Sequence, residues 1–257
     1  MKCVDQNLSG TSMIVLLVSL VAWSVLACNP MGLRHHPISL ASQLATWAVM
    51  VVAMMSPTLI LPIQQICVRS FRHLRAPLVV LFSLAYGCVW VSTGVLLLAA
   101  APALVDTATQ RLAPLFALAI AIALVLLWQC SPLKQRCLNR VHGSIDVEAF
   151  GCAAAISAVR QGLRHGLWCV LSCWPLMLLA LLIPRGHLGV MALAMLVVVG
   201  ESLDLPKQPR WQLRLPATLI QLLMAQAMIR LRRYGPPQPM SELDPDALSP
   251  QVGSVNP

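Results

Sequence analysis

The chain has 257 residues, 58% of them hydrophobic and only 11% charged, with a mean hydropathy of +0.76. An ordinary soluble domain is about 45–50% apolar and about 25% charged, so this composition excludes a typical soluble enzyme and a disordered chain. The net charge of +9 would suggest nucleic acid in a soluble protein. In so apolar a chain it reads instead as arginines in loops that orient helices, with the lipid bilayer as partner and no nucleic acid. The expected fold is all-α, a polytopic transmembrane bundle of six or seven helices.

In chain order, the first apolar run is about residues 12–28. The preceding residues 1–11 hold one Lys and one Asp, lack the positive charge of a signal peptide, and are read as a short cytoplasmic N-terminus before an uncleaved helix. The second run, about 44–63, carries Trp47, Met50, Met54, Met55, Pro57 and Pro62. The third, about 77–100, holds Tyr86, Cys88 and Trp90. The fourth, about 113–128, is almost entirely Ala, Leu, Ile and Val. The fifth, about 167–183, is extended inward by a helix from about residue 149, and the sixth is about 188–203. The last, about 215–229, is only ~15 residues long, so an interfacial helix and a span are both open readings.

Loop charges set the orientation. Arg69, Arg72 and Arg75 follow the second run. Lys134, Arg136, Arg140, Arg160 and Arg164 follow the fourth, and Lys207, Arg210 and Arg214 the sixth. Basic loops face the cytoplasm, which puts the N-terminus inside. Arg230, Arg232 and Arg233 fit this rule only if the last segment lies on the inner surface. The helical domain is thus residues 12–234. The tail, 235–257, is rich in Pro, Ser, Asp and Gln and lacks the apolar residues to fold alone.

Met50 and Met54 are four apart and share a helix face, with Met55 beside them. Thioethers are soft ligands suited to Cu(I), and Met equally fills gaps in a packed bundle. Pro57 removes a donor from the turn below them and frees backbone carbonyls there. In the fifth run, His165, Cys169, Cys173 and Met177 recur every four residues and form a slowly winding stripe of one imidazole, two thiols and a thioether. Small buried cysteines and an interfacial His are the alternative reading. By depth, Met54 and Cys173 both fall near the middle of a ~30 Å core, so the two sets face one another if their helices are neighbours. Glu201 lies at the depth of His165. It is expected either to hydrogen-bond His165 and set its tautomer or to pair with Arg160 or Arg164. Lys134 is expected to anchor at the headgroups. Cys137 and His142 form a possible relay in the same loop, and His35 and His36 follow Met31 in an outer loop. Nine cysteines, mostly in apolar segments or at their ends, argue for reduced thiols rather than a disulfide framework. No Walker loop, GxGxxG or nucleophile elbow is present, so no catalytic activity is expected.

These motifs together resemble the DUF2182 family, described as predicted metal-binding integral membrane proteins of bacteria, some labelled copper chaperones. Trp47 to Pro57 is similar to its Trp-x-x-Met-x-x-Ala-Met-Met-x-Pro signature, and Tyr86 to Trp90 to its Gly-Tyr-x-x-x-Trp segment. Gln129 to Leu138 is similar to Gln-x-x-Pro-Leu-Lys-x-x-Cys-Leu. Gly162 to Met177 resembles its Gly-x-x-His-Gly-x-x-Cys-x-x-Cys-Cys-Trp-x-x-Met stretch, and Glu201 matches the Glu ending its next helix. The resemblance covers about residues 47–206. Ser172 stands at the family's middle cysteine, Ser202 at a frequent Lys, and Ala85 at the Gly before the tyrosine. The loss of one thiolate weakens a three-sulfur site. The resemblance implies a Cu(I) holder or chaperone in the bacterial inner membrane, serving a membrane cuproenzyme or taking metal from a donor protein. Met50, Met54, Met55, His165, Cys169 and Cys173 would be ligands, with Glu201 behind them. A metal transporter and an accessory subunit of a membrane complex are the competing functions.

Overall fold

The computed structural model describes residues 2–28, 39–111, 114–143, 148, 151–183, 186–212, 224–226 and 228. Two compact units divide the chain at residue 219; the second, 220–257, is described only at residues 224–226 and 228, which are helical and exposed. Among the described residues the regular structure is all helical. The helices are α1 (Lys2–Cys28), α2 (Leu40–Met55), α3 (Ile60–Arg69), α4 (Arg75–Arg111), α5 (Pro114–Cys130), α6 (Pro132–Val141), α7 (Gly151–Leu182) and α8 (His187–Leu203). Residues 29–38, with the expected Met31, His35 and His36 group, and the tail 235–257 lie outside the described residues.

The first apolar run is the C-terminal part of α1, whose helix already begins at Lys2. The second is α2 and α3 joined by a 3₁₀ turn, Ser56–Leu59. Pro57 cannot donate to the carbonyl four residues back, that of Ala53. The hydroxyl of Ser19 on α1 donates to that carbonyl at 2.7 Å, so the freed backbone group is used inside the protein. The path continues to Arg69 as one 30-residue apolar stretch.

The fourth run ends in a sharp break. Ser131 caps the next helix by accepting from the Leu133 N–H at 3.1 Å, and Pro132 stands at its first position. Consequently α6 leaves α5 at 62°. It lies across α7, where Arg140 stacks on the Trp168 ring at 4.5 Å.

Four stretches are long and apolar enough to cross a membrane: Gly10–Cys28, Leu40–Arg69, Arg75–Ala100 and Gly151–Ala180. The bent α5–α6 pair makes a fifth if it counts as one span. The sixth run forms α8, whose 17 residues span ~26 Å, somewhat less than a ~30 Å hydrocarbon core. The seventh, about 215–229, falls almost wholly outside the described residues. The described chain therefore holds four or five such stretches, against the expected six or seven.

The most extensive helix pair is α4 with α7. Ala154, Ala158, Gly162 and Gly166 recur every fourth residue and present a small-residue face, which lets backbones approach closely. At Gly162 the approach is so tight that a Cβ would run into the Phe82 carbonyl. On α4, Gly94 leaves space filled by the Trp47 ring, whose indole donates to the Trp90 carbonyl at 2.9 Å. Leucines, isoleucines and valines such as Leu20, Leu84, Leu96, Leu127 and Leu193 face outward and are exposed.

Candidate metal centre

The core between these helices gathers sulfur. Met50, Met54 and Met55 from α2, Cys169, Cys173 and Met177 from α7, and Met191 from α8 belong to one buried cluster with Trp47, Tyr86 and Trp90. The α2 methionines and the α7 cysteines are buried in the same cluster, although α2 and α7 are not an extensively packed helix pair. Both α2 and α7 pack on α4 and on α8, and their sulfur-bearing faces turn into the same interior. Met54, Met177 and Met191 are fully enclosed.

Within the cluster the thiols are near each other. The Cys173 thiol donates to the Cys169 carbonyl one turn back at 3.0 Å. The Tyr86 hydroxyl and the Cys169 thiol share a hydrogen bond at 3.3 Å. Ser172, at the resemblance's middle-cysteine position, turns its hydroxyl back to the Cys169 carbonyl at 2.7 Å. Its oxygen is thereby satisfied on its own helix. Among the described residues no three of His, Cys, Asp and Glu converge as a metal site, so a site with more than two donors here must draw on the thioethers. Two thiols and several thioethers in a dry interior are a donor set for a soft, monovalent cation.

His165 lies one turn before Cys169, outside the sulfur cluster but against it. Its ring is 5.8 Å from that of Tyr86 and 5.9 Å from that of Phe82. Its buried Nε2 has no hydrogen-bond partner.

The expected pairings of Glu201 are corrected. Its carboxylate meets Lys134 at 2.6 Å and accepts from Gln129 Nε2, not from His165, Arg160 or Arg164. Lys134 also donates to Gln129 Oε1 at 2.6 Å, closing a three-residue ring. Nor does Lys134 reach for headgroups: its side chain is 2% exposed. The Ser131–Pro132 break turns α6 back toward the core and carries Lys134 with it. A buried carboxylate requires an opposite charge, and Lys134 supplies it. The expected depth of Glu201 was close, since the adjacent Ser202 lines the same cavity as His165. One residue of helix rotation, about 100°, sends Glu201 elsewhere.

Met191 and the inward role of Lys134 escape a reading of the sequence alone. Met191 sits in a uniformly apolar helix, where periodicity marks no face. For Lys134, the signal was the Ser-Pro break three residues earlier. The described cysteines are free thiols.

Among the described residues, an all-helical fold with an apolar exterior and a sulfur-rich interior has the donor chemistry suited to a soft metal ion. Comparison with known families makes this specific: the family described as "Copper chaperone" (PpoB2) matches residues 44–228, and the chain belongs to that family. The match supports a copper-handling role. No curated protein and no solved structure matches the chain.

Proposed function

We propose that the protein is a multi-pass membrane protein that holds Cu(I) in its sulfur-lined core and delivers it to a membrane cuproenzyme. The observation that carries this reading is the burial of Met50, Met54, Met55, Cys169 and Cys173 in one cluster. Cys169 and Cys173 are the anionic ligands once deprotonated, and the methionines are neutral ones. A monovalent ion with two thiolates carries one net negative charge, and the neighbouring Lys134–Glu201 pair is neutral within itself. His165 leads from the cluster toward the inner end, and the Lys134–Glu201 pair acts from behind the ligands. No bond-making chemistry is required of any of these groups.

Membrane insertion is supported by the four or five long apolar stretches and by their exposed aliphatic side chains. The inner membrane of a bacterium, with the N-terminus in the cytoplasm, fits the basic loops. Arg69, Arg72 and Arg75 flank the α3–α4 turn, and the neighbouring Ile66, Leu78, Ala154 and Ala158 pack together. The basic segments of α3, α4 and α7 thus share one end.

The test is the copper content of protein purified in detergent under reducing conditions, beside Cys169→Ser/Cys173→Ser. About one sulfur-bound equivalent in the parent, lost in the variant, is expected. Unchanged copper in the variant would sink the assignment. A second reading, transport, is favoured by the broken α2–α3 and α5–α6 helices, which are common at substrate paths of transporters. Copper flux into proteoliposomes separates the two, because a holder binds without moving ions across.

A further inference from the structure

Where α6 packs along α7, the two helices expose basic stripes. Arg136 and Arg140 are four apart on α6, and Arg160 and Arg164 are four apart on α7, so each pair shares a helix face. All four side chains are exposed. The stripes meet at Trp168, one turn beyond Arg164, where the Arg140 guanidinium lies 4.5 Å from the ring centroid. Among the described residues none of the four is paired with a carboxylate. Glu201 and Asp204 are held by Lys134 and Lys207. The exposed Glu148, whose backbone N–H donates to the Ser157 hydroxyl, forms no ion pair with the arginines either.

Like charges four apart on a helix repel, and an anion between the helices relieves that repulsion. The basic side chains are arginines throughout, and the guanidinium fork matches the oxygens of a phosphate, which an ammonium meets only as a point charge. Apolar side chains are interleaved with the charges. Leu133 is three residues before Arg136 on the outer face of α6, and Leu163 and Leu167 each follow an arginine of α7 by three. These leucines are 53%, 44% and 50% exposed. A soluble anion would meet the guanidiniums but leave the leucines in water. A molecule with a phosphate at one end and acyl chains at the other meets both. Trp168 suits the same boundary, since an indole has an apolar body and a polar N–H.

We propose that the outer face of α6 and α7 is a binding site for an anionic phospholipid. Arg136, Arg140 and Arg164 take the phosphate, Trp168 holds the Arg140 guanidinium in place, and Leu133, Leu163 and Leu167 lie against the acyl chains. Basic sites between helices at the headgroup level recognise anionic lipids in this way. The bound lipid clamps α6 onto α7. Because α6 also carries Lys134 to Glu201, the lipid steadies the buried ion pair from outside. The proposal rests on the membrane reading above and is independent of copper.

Full-length protein, delipidated in detergent, is titrated with phosphatidylglycerol, with phosphatidylcholine and with inorganic phosphate. Binding is read by native mass spectrometry and by the Tm. Phosphatidylglycerol should be retained and should raise the Tm, while phosphatidylcholine and inorganic phosphate do neither. Arg136→Gln/Arg140→Gln/Arg164→Gln should weaken phosphatidylglycerol binding by at least ~10-fold and abolish the Tm gain. The matching triple change at Arg69, Arg72 and Arg75 should leave both intact. Arg136→Lys/Arg140→Lys/Arg164→Lys keeps the charge without the fork, folds if the glutamine variant does not, and should bind more weakly than the parent. Equal retention of phosphatidylglycerol and phosphatidylcholine would overturn the proposal. So would equal losses from the two arginine triples, which would mean diffuse attraction to the basic surface. Full binding by the lysine variant would refute guanidinium recognition. A Tm gain of the same size from inorganic phosphate would refute the lipid as the ligand and leave a phosphate site. Absence of lipid binding in the parent, with copper still bound, would overturn the lipid site alone.

Discussion

The sulfur core and the polar ring beside it are built on opposite principles. In the ring, Gln129, Lys134 and Glu201 bond one another: Lys134 reaches both partners and the carboxylate meets an amide and an ammonium. Such a closed set holds helices in place, tying α5, α6 and α8 together, and has little left for a ligand. In the core, the strong donors are two thiols, that of Cys169 bonded to Tyr86 and that of Cys173 to a helix carbonyl, surrounded by thioethers with no other polar function. Adjacent buried groups therefore differ in purpose according to whether their bonding capacity is already spent.

The largest contrast should come from substituting one member of each region. Cys169→Ser/Cys173→Ser should abolish sulfur-bound copper yet change stability by only about 1 kcal/mol, because each replacement is nearly isosteric and a hydroxyl can take over the hydrogen bonds to helix carbonyls. Glu201→Gln should behave in the reverse sense. It leaves Lys134 buried without its counter-charge, at a cost of about 3–5 kcal/mol, read as earlier unfolding in detergent. Lys134→Met/Glu201→Leu together should recover much of that loss. Equal damage from the single and double variants would break the view of the ring as a self-compensating pair.

Gly162→Val tests whether the α4–α7 contact aligns Tyr86 with Cys169. The added side chain collides with the Phe82 backbone, and a loss of about 1–3 kcal/mol is expected, along with weaker copper binding. Normal copper affinity in a destabilised protein would show that the alignment is set elsewhere. The smallest effect is expected at Ser19→Ala, which leaves the Ala53 carbonyl without its donor at a cost of about 1 kcal/mol. A neutral result there would mean that the turn at Pro57 relaxes without help from α1.

Part of the buried cluster could be read from the chain because helix periodicity alone places Met50 with Met54 and Cys169 with Cys173, all four of them buried together, whereas His165 lies outside it. Depth arithmetic across a bilayer then sets the two groups level. Glu201 shows where such reading stops. Depth fixes the height of a side chain but not its azimuth, and the direction in which Glu201 points depends on how α8 is rotated against α6. Lys134 shows the same limit. Charge next to a span suggests the headgroup region, and only the 62° turn at Ser131–Pro132 brings it inside.

By itself the sequence determined an apolar helical chain and the bounds of α5, α7 and α8, because composition and a 3.6-residue period are local properties of the chain. The tertiary structure decided which polar groups satisfy each other and which are left open. That outcome rests on helix rotation and on breaks such as Ser56–Leu59 and Ser131–Pro132. These are settled by close packing between α4 and α7 and by the need to pair each buried charge.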